Sequence, residues 1–243
     1  MIWSEKQILD FIDVTFPELL NDEVLIMLVC ARKKYCETLP RSEEILDRKI
    51  IRTNDKTKIV QKIKKLASQK FFINEEVEIP HHAKAIYVDL NPKSVIKAYS
   101  VFTKEVNDQI YNLIRTLING SEPDFNFFRK LDIKLFSAIH RSSSRHLYWL
   151  IDVDVKDSNL VNKIIEMLHG YVKCVTETRG GYHIIVRVSN ESSKIIFTEL
   201  KGKENIEVHK QCLTPIPGTL QGSFPVKICY ICDELKTGIS SNE

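Results

Sequence analysis

Apolar positions alternate with polar ones in the second half of the chain far more regularly than in the first. His146 to Val155 reads as a strand, and its end, Leu150 to Val155, alternates acid and aliphatic residues. Ser158 to His169 follows with helical spacing and Ser158 as its cap. Tyr171 to Thr178 reads as a strand, Arg179-Gly180-Gly181 as a tight turn and Tyr182 to Val188 as the hairpin partner. Glu191 to Lys201 reads as a helix and Asn205 to Lys210 as a last strand. This β-α-β-β-α-β order predicts a ferredoxin-like unit, also used by RNA-recognition modules. In that unit the first strand lies between the third and fourth, and helices cover one face while the other stays open.

The first half reads as mostly helical. Ser4-x-x-Gln7 opens a helix to Phe16 with a capping-box pattern. Asp22 to Tyr35 reads as a helix with the polar end Ala31-Arg32-Lys33-Lys34-Tyr35. Asn54 to Lys70 carries Ile59, Ile63, Leu66 and Ala67 at helical spacing, with lysines opposite. Ala85 to Leu90 is a short strand, and a long helix spans about Pro92 to Leu117. Asn119 to Asp124 is the clearest linker. The expected class is α+β: a helical N-terminal module over residues 1–120 and a ferredoxin-like unit over residues 121–243.

Composition agrees with a folded chain of 243 residues, 43% apolar and 28% charged. The apolar run Val24 to Ala31 is too short to span a bilayer, and no signal-peptide core follows the charged start. The sequence therefore points away from a membrane and to the cytoplasm, or to the nucleoid or host cytoplasm for a plasmid or viral protein. Six cysteines in such a setting read as reduced thiols. The formal net charge is only +3, but Arg48 to Lys70 holds nine Lys or Arg residues and one acid. That patch suits nucleic acid, with Lys58, Lys62 and Lys65 as candidate phosphate contacts, or is a solvated helix face.

Chemistry concentrates in three places. Asp152 and Asp154 sit two apart on one strand, so both project from the same face. Two neighbouring carboxylates repel unless a cation neutralises them, and Mg²⁺ or Mn²⁺ suits their hard oxygens. Thr178-Arg179-Gly180-Gly181-Tyr182-His183 forms a hairpin whose glycines offer N–H groups and whose Arg179 offers a forked cation to an anion. Glu207, on the strand expected beside Asp152, supplies a third carboxylate. Three carboxylates beside a phosphate-binding turn are the ingredients of two-metal phosphoryl transfer.

Asp152-x-Asp154, then Thr178 to His183, then Ile206-Glu207-Val208 resemble the three motifs of the archaeo-eukaryotic primase superfamily, and of its primase-polymerases in particular. Pro215-Ile216-Pro217-Gly218-Thr219-Leu220-Gln221-Gly222 is similar to the stretch that follows the third motif, with Gln221 where histidine is common and Glu207 where aspartate is usual. The resemblance covers about residues 140–230. It implies template-directed polymerisation of ribo- or deoxynucleoside triphosphates on single-stranded or primed DNA. It also implies a helicase or other replication protein as a partner. Asp152, Asp154 and Glu207 are implied as metal ligands and His183 as a contact to the triphosphate. Arg141, Arg145, Lys210 or Lys227 could supply further phosphate contacts.

Two other readings of the same residues are a non-catalytic single-strand-binding module and a metal-dependent nuclease. His209-x-x-Cys212 and Cys229-x-x-Cys232 have spacings that suit zinc. The place of His209 on the strand face of Glu207 argues against that use.

Overall fold

The computed structural model describes residues 1–37, 39, 42–73 and 77–232, and the last residues of the expected second module, 233–243, lie outside them. The class is α+β. The N-terminal half is built on a sheet. Helix α1 (Glu5–Thr15) leads into strands β1 (Glu23–Arg32) and β2 (Glu43–Ile51), then helix α2 (Lys56–Ser68). A short pair, β3 (Phe72–Ile73) and β4 (Val77–Glu78), precedes β5 (Lys84–Ser94), and helices α3 (Val95–Ile118) and α4 (Leu131–Arg141) follow.

The helix expected over Asp22–Tyr35 is therefore the central strand β1, and β2 was not foreseen. The physical reason is burial on both faces. A strand covered on each side shows a continuous apolar run, which periodicity alone does not separate from a buried helix. Leu25, Met27, Val29 and Ala31 pack with Ile8, Phe11, Ile59, Ile63 and Leu66 of α1 and α2. Val24, Ile26, Leu28 and Cys30 pack on the opposite face with Ala98, Ala138 and Ile139 of α3 and α4.

The second half supplies β6 (Tyr148–Val153), α5 (Ser158–Met167), β7 (Val172–Glu177), β8 (Tyr182–Arg187), α6 (Asn190–Ile195, continued by a π turn over Ile196–Leu200) and β9 (Ile206–His209). Asp157 rather than Ser158 caps α5, accepting from the N–H groups of Asn159 and Leu160. Four short strands follow among the described residues: β10 (Leu213–Pro215), β11 (Leu220–Gln221), β12 (Phe224–Pro225) and β13 (Lys227–Ile231). The strand order is β13-β7-β8-β6-β9, every pair antiparallel, so β6 lies between β8 and β9. Trp149, Ile151 and Val153 face α5 and α6 in one core.

The other face of this sheet is not open along its whole length. Leu150, Cys174 and Ile185 join the core of the first sheet and α1, and the Gln7 side chain accepts from the Ile228 N–H at 2.7 Å. Beyond β9 the chain returns to the first sheet, whose order is β10-β5-β1-β2. Helix α4 also packs on β1 and β5. Two segments beyond residue 120 thus belong to the first layer.

Polar clamps hold the layers together. Asn91 at the end of β5 accepts from the N–H groups of Leu147 and Tyr148 and donates to the carbonyls of Tyr148 and Lys210. Glu23, its side chain fully buried, accepts from Arg145 at 2.8 Å and from Ser144. The Arg145 hydrogen bond holds the Glu23 carboxyl at about 2, below its ordinary value, against the opposing effect of burial. A depressed carboxyl stabilises the fold above its unfolded value of 4.5 and loses that contribution as pH falls from there towards about 2. Urea unfolding at stepped pH is expected to show this loss. Arg145→Gln is expected to abolish the step and lower stability at neutral pH.

Candidate active site

Strand register places two of the three predicted acids, Asp152 and Glu207, opposite one another. Asp152 stands directly opposite His183 of β8 on one side and opposite Glu207 of β9 on the other. His183, Asp152 and Glu207 thus form one row across three neighbouring strands. Directly opposed side chains in an antiparallel pair lie on the same face about 5 Å apart at Cβ. Asp154 follows just beyond the end of β6, exposed, with its N–H donated to the Asn205 carbonyl at 3.0 Å.

His183 is buried and braced at both ring nitrogens. Nδ1 lies 3.0 Å from Thr214 Oγ1, and Nε2 lies 3.4 Å from Asp152 Oδ1. Burial pushes the Asp152 carboxyl up. The His183 hydrogen bond and charge, with His209 and Lys34, outweigh it and hold Asp152 below its ordinary value. Asp152 is an anion at neutral pH. Glu207 is largely exposed, and its carboxylate lies 3.3 Å from His209 Nε2.

The hairpin after β7 uses its glycines differently from the expectation. Neither Gly180 nor Gly181 adopts the left-handed backbone. A Cβ on Gly180 would meet nothing, whereas one on Gly181 would lie 1.8 Å from the Val153 carbonyl oxygen. Gly181 is there because its backbone rests against the end of the strand that carries the aspartates. Two of the turn's N–H groups are spent within the protein: Gly181 donates to Thr178 Oγ1 at 3.2 Å and Arg179 to Gln221 Oε1 at 2.7 Å. Arg179 stacks on the Tyr35 ring, 5.0 Å from its centroid. Gln221 also donates to the Tyr87 hydroxyl, so the hairpin is tied to β5 of the first sheet. Gly181→Ala is expected to destabilise the protein by about 1–3 kcal/mol or more, since backbone must yield. Gly180→Ala is expected to be nearly neutral, and thermal unfolding of the pair checks both.

Asp152, Asp154, Thr178, Gly180, His183 and His209 line one wall of a cleft of about 300 Å³. The opposite wall comes from the first sheet, with Arg32, Lys34, Glu43 and Tyr87. Arg32 is held by Glu43 at 3.4 Å and by the Tyr87 hydroxyl at 3.4 Å. These cations face the two aspartates, and the sequence reading had placed them at the end of a helix. Their signal was present in Arg32-Lys33-Lys34-Tyr35, but only the tertiary structure sets it across from the carboxylates.

The donor chemistry suits a hard divalent cation: Asp152 and Asp154 present carboxylate oxygens to one cleft, and Asp152 is kept deprotonated. Among the described residues, no three His, Cys, Asp or Glu side chains stand close enough to form a complete metal site. Cys212 is fully buried in the inter-sheet core, where burial pushes its thiol well up. Cys229 is exposed on the edge strand β13, and Cys232 follows that strand. The structure does not gather these with His209.

The α2 lysines of the basic patch lie elsewhere, while Arg48 borders a cavity beside the cleft. Helix α2 covers the face of the first sheet turned away from the cleft, as the packing of Ile59, Ile63 and Leu66 on Leu25, Met27 and Val29 shows. Lys58 pairs with Asp55 and Lys62 donates to the Ile50 carbonyl, while Lys65 sits in the last turn. Arg141 pairs with Glu105 at 2.7 Å. No family model, curated protein or solved structure matches this chain.

Proposed function

We propose that this protein catalyses template-directed nucleotidyl transfer, as a member of the archaeo-eukaryotic primase superfamily. The observation that carries the reading is Asp152, opposite His183 and Glu207 in strand register and lining, with Asp154 and His183, a cleft whose lining also holds Arg32 and Lys34; Glu207 itself lies outside that lining, turned to His209. The β-α-β-β-α-β connection, with its first strand between third and fourth, agrees with the ferredoxin-like unit of that superfamily.

In this reading a 3′-hydroxyl attacks the α-phosphate of a bound nucleoside triphosphate. The new P–O bond forms as the bond to pyrophosphate breaks, and the hydroxyl proton passes to solvent. Asp152 and Asp154 would hold Mg²⁺ or Mn²⁺, with Glu207, across from Asp152, as the third carboxylate. The ion would supply acidification of the hydroxyl and charge stabilisation on the phosphate. His183 keeps Asp152 ionised and fixes its rotamer, a positioning role, because both ring nitrogens already face protein groups. Arg32 and Lys34 would neutralise triphosphate charge from the opposite wall, through charge-assisted contacts.

The test is incorporation of labelled nucleotide on single-stranded DNA, with and without a primer, in Mg²⁺ and in Mn²⁺. Incorporation that requires template and triphosphate supports the reading. Strand cleavage without added triphosphate would assign the carboxylates to a nuclease instead.

A further inference from the structure

The cleft face of the first sheet carries a second, strongly basic cavity of about 530 Å³. Lys93, His140, Arg141, Arg145, His146 and Lys210 line it, and no carboxylate does. The partner acids stand behind these cations: Asp89 holds Lys93 at 2.8 Å, Glu105 holds Arg141 at 2.7 Å and Glu23 fixes Arg145. They orient the cations and remove rotamer freedom without occupying the cavity. Lys210 is exposed, and its ammonium has no carboxylate partner among the described residues. Burial and the nearby cation Lys210 push the His146 ring down in pKa, as burial and Lys93 do for His140. Positive charge is thus crowded here, and a pocket of fixed cations with an uncovered one attracts a phosphate.

The cavity does not stand alone. Gln211, anchored by Asp89 and His140, forms part of its wall and part of the wall of the carboxylate cleft. Gln211 and His140 also border a third cavity of about 580 Å³, lined mainly by apolar residues such as Ile26, Leu28, Ile133, Phe136 and Leu213, with Glu43 and Arg48 as its charged members. A basic chamber beside a mainly apolar one, both sharing Gln211 with the carboxylate cleft, matches the phosphate and the unstacked base of a single strand. In a duplex the bases are paired and stacked and do not enter an apolar chamber.

We propose that the basic cavity seats a backbone phosphate of single-stranded nucleic acid, with the neighbouring base in the apolar chamber and the strand continuing past Gln211 into the cleft. The proposal deepens the polymerase reading and rests on it for the identity of the strand as template.

The test uses Lys210→Gln combined with Arg141→Gln, since both side chains are exposed and lie outside the carboxylate cleft. Fluorescence anisotropy with labelled oligothymidylate is measured against salt, and nucleoside triphosphate and inorganic phosphate are run as separate probes. The double variant is expected to bind the oligonucleotide about tenfold more weakly or worse. Its log–log salt slope is expected to be shallower by about 1.4 units, at about 0.7 per lost contact. Triphosphate affinity and thermal midpoint are expected to stay at wild-type values, and incorporation at saturating template to survive. Wild-type oligonucleotide affinity and slope in the variant would overturn the proposal. So would a loss confined to triphosphate, or absence of oligonucleotide binding by the wild type. A wild-type protein that binds the strand with this signature but incorporates no nucleotide would keep the cavity assignment and remove the polymerase reading.

Discussion

Asp154→Ala and Asp152→Ala are each expected to lower nucleotide incorporation by about 100-fold or more, the scale of losing a group that stabilises transition-state charge. The two substitutions differ in what else they disturb. Asp154 is exposed beyond the end of β6, so its loss is expected to change stability by no more than about 0.5 kcal/mol. Asp152 is the acceptor facing His183, and removing it leaves that buried ring with Thr214 as its remaining side-chain polar partner among the described residues. Glu207→Ala is expected to have a smaller effect, because this side chain is 64% exposed and turned to His209. Incorporation assays at matched circular dichroism rank the three. Full activity in the Asp154 variant would remove the carboxylates from the chemistry.

The second large effect is on stability. Asp89 and Lys93 form an ion pair at 2.8 Å with side chains 0% and 4% exposed. Asp89 also accepts from the Asn91 N–H at 3.1 Å and from Gln211 at 3.2 Å. Asp89→Ala is expected to destabilise the protein by about 3–5 kcal/mol, because it leaves a buried ammonium without its counter-charge. Lys93→Met in the same chain is expected to recover much of that loss, since an apolar pair of similar volume needs no desolvation of charge. Urea unfolding of wild type, single and double variants reads both values. A loss under about 1 kcal/mol in the single variant would show that water reaches the pair.

Local pattern was enough where elements are short and their ends are marked. The helices of residues 146–210 are amphipathic, and caps and the Arg179-Gly180-Gly181 turn separate the strands, although β6, β7 and β8 are buried on both faces. Their order and the neighbourhood of Asp152, His183 and Glu207 could therefore be drawn from the chain alone. Pattern failed at β1, where Glu23 to Arg32 is covered by helices on both sides and shows no period. It also missed why Gly181 is glycine: that depends on the Val153 carbonyl, 28 residues earlier in the chain, and not on the turn itself.

The sequence by itself determined the α+β class and set Asp152 and Asp154 two residues apart where one strand ends, because short bounded strands and amphipathic helices leave local signatures; Asp154 lies just past that strand. Only the tertiary structure decided what those acids face. It set Arg32 and Lys34 across the cleft, turned the α2 lysines to the far side of the first sheet, and gathered Lys93, Arg141, Arg145 and Lys210 around one cavity. Each of those juxtapositions joins residues far apart in the chain, and contact between sheets is governed by packing that no local period encodes.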